Sequence, residues 1–117
     1  MHDYKKLLLW NKSIEFVSDI YKTTSHFPSN EKFNLISQIN RASVAIPSNI
    51  AEGAGRNSNK EFVQFLAIAH GSTYEVETQL MISKNLGYLK EEELQILLEQ
   101  LYEIQKMSFS LQLKLKK

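Results

Sequence analysis

The sequence predicts an all-α protein, an antiparallel up-down-up-down four-helix bundle forming a single domain over residues 1–117. Three observations lead there. Apolar residues recur at three- and four-residue steps along four separate segments, which is the spacing of one helix face. Short breaks part the segments at Phe27-Pro28-Ser29-Asn30, at Gly53 to Asn57 and at Gly87, and short connections make consecutive helices antiparallel neighbours. No apolar–polar alternation of a strand, no low-complexity linker and no internal repeat occurs in the chain.

The first helix is expected from about Asp3 to Ser25, with a seam of Leu7, Trp10, Ile14, Val17, Tyr21 and Thr24 widened by Leu8 and Ile20. Pro28 disfavours helical geometry at Phe27, and Ser29 or Asn30 can cap the next helix. The second helix begins near Glu31 and carries Phe33, Ile36, Ile39, Ser43, Ile46 and Ile50. Pro47 sits inside that pattern. Either two short helices meet there, or one helix kinks and frees the Ser43 carbonyl; the unchanged register at Ile50 favours the kink. Gly53 and Gly55 are expected to supply the left-handed geometry that ends the helix.

Ser58 and Glu61 have the spacing of a capping box. The third helix follows with Phe62, Leu66, Ala69, Thr73, Val76 and Leu80 on its seam, flanked by Phe65 and Ile68, and stops at Gly87. Glu91-Glu92-Glu93 opens the fourth, where the helix dipole favours negative charge. Its seam is Leu94, Leu97, Leu101, Ile104, Ser108, Leu111 and Leu115.

Composition excludes several function classes. With no cysteine, disulfides, thiolate metal sites and cysteine nucleophiles are absent. None of His2, His26 and His70 has a glutamate three residues before it, so the Glu-x-x-His motif of metal-binding bundles is missing. Glu75 and Glu77 point to different sides of a helix and cannot act as an acid–base pair. No catalytic residue, metal site or cofactor is therefore expected. A formal net charge of +1 gives no global pull toward nucleic acid or anionic membrane. The run Leu7 to Trp10 is too short for a signal-peptide core, and no stretch is long enough to span a membrane. The expected location is the cytoplasm.

Three groups of residues stand out. Folding the second and third helices back on each other brings Glu52 near Glu61, Ala45 near Ile68, Arg41 near Ser72 and Gln38 near Glu75. An ion pair between Arg41 and Glu75 across the helices is expected from that register. The turn Gly53-Ala54-Gly55-Arg56, with Lys60 beyond it, offers an anion nest at a helix N-terminus; a glycine helix end followed by a capping box explains the same residues without a ligand. Any nucleic-acid contact should therefore centre on Arg56 and Lys60, joined by Arg41 if that side chain is exposed. Finally, Ala67, Gly71 and Ser72 form a small-residue patch that serves either close packing within the bundle or a subunit interface.

The run Gln38-Ile39-Asn40-Arg41-Ala42, then Ile46-Pro47-Ser48-Asn49-Ile50-Ala51-Glu52-Gly53, then Gly55-Arg56, Glu61-Phe62, Phe65-Leu66, Ala69, Gly71-Ser72, Glu75 and Glu77-Thr78 resembles the 23S rRNA intervening-sequence protein family. Phe27-Pro28 and Leu86-Gly87-Tyr88-Leu89 extend the resemblance over nearly the whole chain. It implies a four-helix bundle without an assigned reaction and a habit of association. The related accessory variability protein of diversity-generating retroelements is a pentamer that binds nucleic acid through a basic surface. The resemblance thus implies a homo-oligomer, specifically a pentamer, and an RNA or nucleoprotein partner. Asn40 and Ala67 stand where relatives often carry arginine, and Ala54 where an aromatic residue is frequent. Two functional classes follow: a non-enzymatic oligomeric adaptor binding RNA or an RNA–protein complex through a modest basic patch, or a structural or protein-interaction module with no nucleic-acid role.

Overall fold

The computed structural model describes all residues from Met1 to Lys117 and contains four α-helices and no strand: α1 (Leu8–Thr24), α2 (Leu35–Ala54), α3 (Asn59–Asn85) and α4 (Glu91–Leu115). Two single 3-10 turns, Tyr4–Lys6 and Ser29–Glu31, precede α1 and α2. The helices form a closed square in the order α1-α2-α3-α4, with α2 and α3 in the most intimate contact. On the α3–α4 side the cross-helix pairs run in opposite senses. Thr24 meets Asn40, Glu77 meets Tyr102 and Gln105, Lys84 meets Glu91, and Lys12 meets Glu103. The bundle is a rod of 44 × 24 × 20 Å.

Helix boundaries follow local chemistry. The chain is not helical from Asp3 onward, because Leu7 adopts extended geometry (φ −80°, ψ 122°) between the 3-10 turn and α1. Asn34 (φ −117°, ψ −104°) likewise delays α2 to Leu35. Phe33 is consequently stranded outside the helix and 84% exposed, instead of joining the seam. A single helix passes through Pro47, so the two-helix alternative is excluded. Ser58 Oγ accepts from the Glu61 amide at 3.2 Å, as the capping-box spacing predicts. Gly87 (φ 83°) ends α3 with the Tyr88 amide donating to the Ser83 carbonyl at 2.9 Å, the Schellman arrangement. The Lys90 amide donates to Glu93 Oε1 at the start of α4.

The core joins Phe16, Ile20, Ile39, Ile46, Ile50, Phe62, Leu66, Val76, Leu80, Leu101 and Ile104. The seams of α3 and α4 are buried as expected, with Leu111 and Leu115 half-buried at the last turns. The α1 seam is not. That helix buries Leu9, Ser13, Phe16, Ile20 and Thr24, leaves Trp10 and Val17 half-buried, and turns Ile14 and Tyr21 to the outside. Buried hydroxyls satisfy themselves on their own helices: Ser13 donates to Leu9, Ser43 to Asn40, Thr73 to His70 and Ser83 to Gln79. Small polar residues can therefore occupy helix–helix contacts without an unpaired group.

Candidate functional site

The α2–α3 turn is a helix end, not an anion nest. Gly55 has helical geometry (φ −83°, ψ −3°), and Gly87 alone in the chain has positive φ. The left-handed residues expected at Gly53 and Gly55 are absent, and with them the alternating geometry a nest requires. Gly53 lies within α2, where a Cβ would sit 2.6 Å from Phe65 Cβ. Its role is close approach of α2 to α3.

Arg56 and Lys60 stand differently at this turn. Arg56 Nη2 donates to Glu52 Oε2 at 3.0 Å, and its guanidinium stacks 4.6 Å from the Phe65 ring centre. Its charge is largely answered within the fold. Lys60 is exposed with no carboxylate partner, and it shares a shallow cleft of about 330 Å³ with Val63, Gln64, Leu115 and Lys116. The first amides of α3 open beside it, where a helix leaves donors unpaired. The N-terminal residues pack over the same end: the His2 amide donates to the Ala54 carbonyl at 2.8 Å, and His2 Nε2 lies 3.1 Å from Asn59 Oδ1.

Antiparallel folding sorts the charges. The end that carries the α2–α3 turn gathers Lys5, Lys6, Arg56, Lys60, Lys114, Lys116 and Lys117 against Asp3, Glu52 and Glu61. In the other half of the rod Asp19, Glu31, Glu75, Glu77, Glu91, Glu92, Glu93 and Glu99 outweigh Lys22, Lys32, Arg41, Lys84 and Lys90. The net charge of +1 thus conceals a rod with one basic and one acidic end. Reading charges helix by helix misses this; the signal emerges once the alternating direction of the helices is applied to them.

Arg41 and Glu75 do not form an ion pair. The ion pairs are Lys12–Glu103, Arg56–Glu52 and Lys84–Glu91, whereas Arg41 and Glu75 are both exposed. Arg41 lies on the α1 flank of α2, in a groove with Tyr21, Lys32 and Phe33. Glu75 lies on α3 and accepts a long 3.4 Å contact from Gln79. A shared level along the bundle does not by itself bring two side chains together, because direction around each helix also decides contact. Arg41 also sits roughly 20 Å along the helix from Arg56, so it takes no part in the basic end.

The small-residue patch faces solvent. Ala67 and Gly71 are exposed and Ser72 half-buried, and a Cβ on Gly71 would meet nothing within 4 Å. Close packing inside the bundle does not explain Gly71. Nearby, His70 packs edge-on against Tyr74 with centroids 5.3 Å apart, and its buried Nδ1 has no partner. Burial pushes its pKa below the ordinary histidine value. Tyr88 donates to Glu31 Oε2 at 2.8 Å; that bond, then burial and the carboxylate charge, raise the phenol pKa. No three metal-ligating side chains converge in the chain, and no helix is long and apolar enough to cross a membrane.

The comparisons bear on this geometry. No curated protein matches the chain. A crystal structure from Bacteroides thetaiotaomicron VPI-5482, a protein of unknown function from the S23 ribosomal protein family, is similar at TM-score 0.79 and 27% identity, covering 88% of this chain and 96% of that one. The family model described as 23S rRNA-intervening sequence protein matches residues 5–110. Helices α1, α2 and α3, the α2–α3 turn with Lys60, and α4 as far as residue 110 fall within that match, and the chain accordingly belongs to the 23S rRNA-intervening sequence protein family.

Proposed function

We propose that the protein is a non-enzymatic adaptor that binds structured RNA at the basic end of the bundle. The observation that carries this reading is the segregation of charge along the rod, which gives a polyanion one favourable end and one repulsive end. Lys60 and Lys116 are the central contacts, since they flank one cleft and neither has a carboxylate partner. Arg56 is secondary, because binding RNA through it means giving up Glu52. Glu52 and Glu61 beside the turn hold the affinity down, so the salt slope should correspond to roughly two or three phosphate contacts per subunit. Self-association belongs to the same reading, with the open surface at Ala67, Gly71 and Ser72 as the interface; a pentameric ring would present several copies of a weak site at once.

Titration of labelled structured RNA across a salt series tests the proposal, with light scattering on the same samples for the assembly. Lys60→Ala with Lys116→Ala should weaken binding about tenfold and flatten the salt slope, while Arg56→Ala alone should change it little. Absence of binding at low salt, or equal affinity of the double variant and the parent, would leave the protein-interaction reading in its place. The groove between α1 and α2 favours that second reading.

A further inference from the structure

The outer side of α1 carries a second apolar stripe that the fold covers only in part: Trp10 and Val17 are half-buried, Trp10 against Tyr4, while Ile14 and Tyr21 are exposed. Trp10, Ile14, Val17 and Tyr21 follow the four-, three- and four-residue steps of a helix-packing seam, yet the core is made by Leu9, Phe16 and Ile20 on the neighbouring face. Across from the stripe, α2 presents Val44, Pro47 and Ala51. Together they bound two abutting open hollows of about 570 and 310 Å³ that share Val44. Ile14 is 40% exposed and Tyr21 48%.

Charge along this groove has one sign. Lys32 and Arg41 are its only charged lining residues, both lie in the hollow toward Tyr21 and Phe33, and neither has a carboxylate partner. The Lys32 ammonium rests 5.4 Å from the Phe33 ring centre, and that ring is otherwise open.

We propose that the α1–α2 groove docks an amphipathic helix of a protein partner, one whose apolar stripe ends in carboxylates that engage Arg41 and Lys32. A helix suits the seam because Trp10 to Tyr21 spans roughly 16 Å, about three turns of an apposed helix, with knobs at matching steps. Carboxylates suit the charged hollow because an unpaired guanidinium binds them in a bidentate fork. An acidic rim also sets the direction in which the partner lies, since both charged lining residues are at one end of the groove. The charged hollow at Lys32 and Arg41 lies away from the cleft of Lys60 and Lys116, and neither of those lysines lines the groove, so failure of the groove proposal leaves the RNA reading untouched.

Trp10 is the single tryptophan of the chain and lines the groove, which makes its emission a direct reporter. The probe is a stapled helical peptide of about 16 residues, with leucines at seam spacing and two glutamates at one end; a second peptide carries lysines in place of the glutamates. The glutamate peptide should shift Trp10 emission saturably and bind at least about tenfold more tightly than the lysine peptide. Arg41→Glu should reverse that preference, and Val44→Asp should abolish binding of both while circular dichroism shows the helices retained. Equal binding of the two peptides, or a preference indifferent to Arg41→Glu, overturns the proposal. So does a Trp10 shielded from acrylamide in the free protein together with a sedimentation mass that falls on Val44→Asp, because a second copy would then occupy the groove.

Discussion

Two glycines within helices of this protein should respond in opposite ways to the same substitution. Replacing a mid-helix glycine by alanine removes backbone freedom from the unfolded chain and stabilises by about 0.5–1 kcal/mol when there is room for the methyl group. At Gly71 there is room, because nothing lies within 4 Å of the added Cβ. At Gly53 the Cβ would fall 2.6 Å from Phe65 Cβ, 3.0 Å from Phe62 Cδ1 and 3.3 Å from the Phe62 carbonyl oxygen. The ring carbon can rotate away. The Phe65 Cβ and the carbonyl move only with the α3 backbone, so relief requires α2 and α3 to separate. Overpacking of that kind costs about 1–3 kcal/mol and outweighs the propensity gain, leaving Gly53→Ala less stable by about 2 kcal/mol. Urea denaturation followed by circular dichroism reads both changes. With a slope of about 1.5 kcal/mol per molar for a chain of this size, Gly53→Ala should lower the midpoint by about 1 M and Gly71→Ala should raise it by about 0.5 M. A Gly53→Ala protein as stable as the parent would refute the close approach of α2 and α3. A destabilised Gly71→Ala would mean that its face is covered, not open.

A double-mutant cycle on Arg41→Ala and Glu75→Ala should give a coupling within about 0.3 kcal/mol of zero, since the two exposed side chains form no ion pair; a coupling above 1 kcal/mol in urea unfolding would restore the ion pair. His70 should make stability pH-dependent on the acid side: above its unfolded value of 6.5 both states are neutral and its contribution is complete, and as pH falls below that value the unfolded chain takes the proton first and stability declines until the depressed folded pKa is passed. In His70→Gln that part of the slope should vanish in a pH series of urea midpoints, and an unchanged slope would assign it to another group.

Much of the bundle is legible in residue order alone. The starts and stops of α3 are local events: Ser58 and Glu61 bond each other's turn, and Gly87 takes the φ that other residues avoid. The leucine ladder of α4 and the seam of α3 needed no knowledge of their neighbours, because each helix has one dominant apolar stripe. The basic end was half legible. Lys60 was identified at its turn, but Lys116 joins it only through the return of α4.

Where a helix has two apolar stripes, periodicity cannot say which is buried. On α1, Trp10-Ile14-Val17-Tyr21 and Leu9-Phe16-Ile20 are both consistent with a helix face, and the choice between them is made by contact with α2 and α4. The same holds for glycine. Gly53 looked like a helix end and Gly71 like a point of close approach; the structure puts the close approach at Gly53 and leaves Gly71 open in the middle of α3, because what a glycine accommodates depends on whether another helix passes over it. Arg41 was matched to Glu75 by level alone, and no ion pair forms between them, for the same reason. Residue order by itself determined the helical elements, most of their ends and the level of each residue along the bundle, since these follow from backbone hydrogen bonding and rise per residue. The tertiary structure alone decided which faces close on one another and hence which charges and apolar stripes remain outside, because the rotation of each helix about its axis is set by packing against its neighbours.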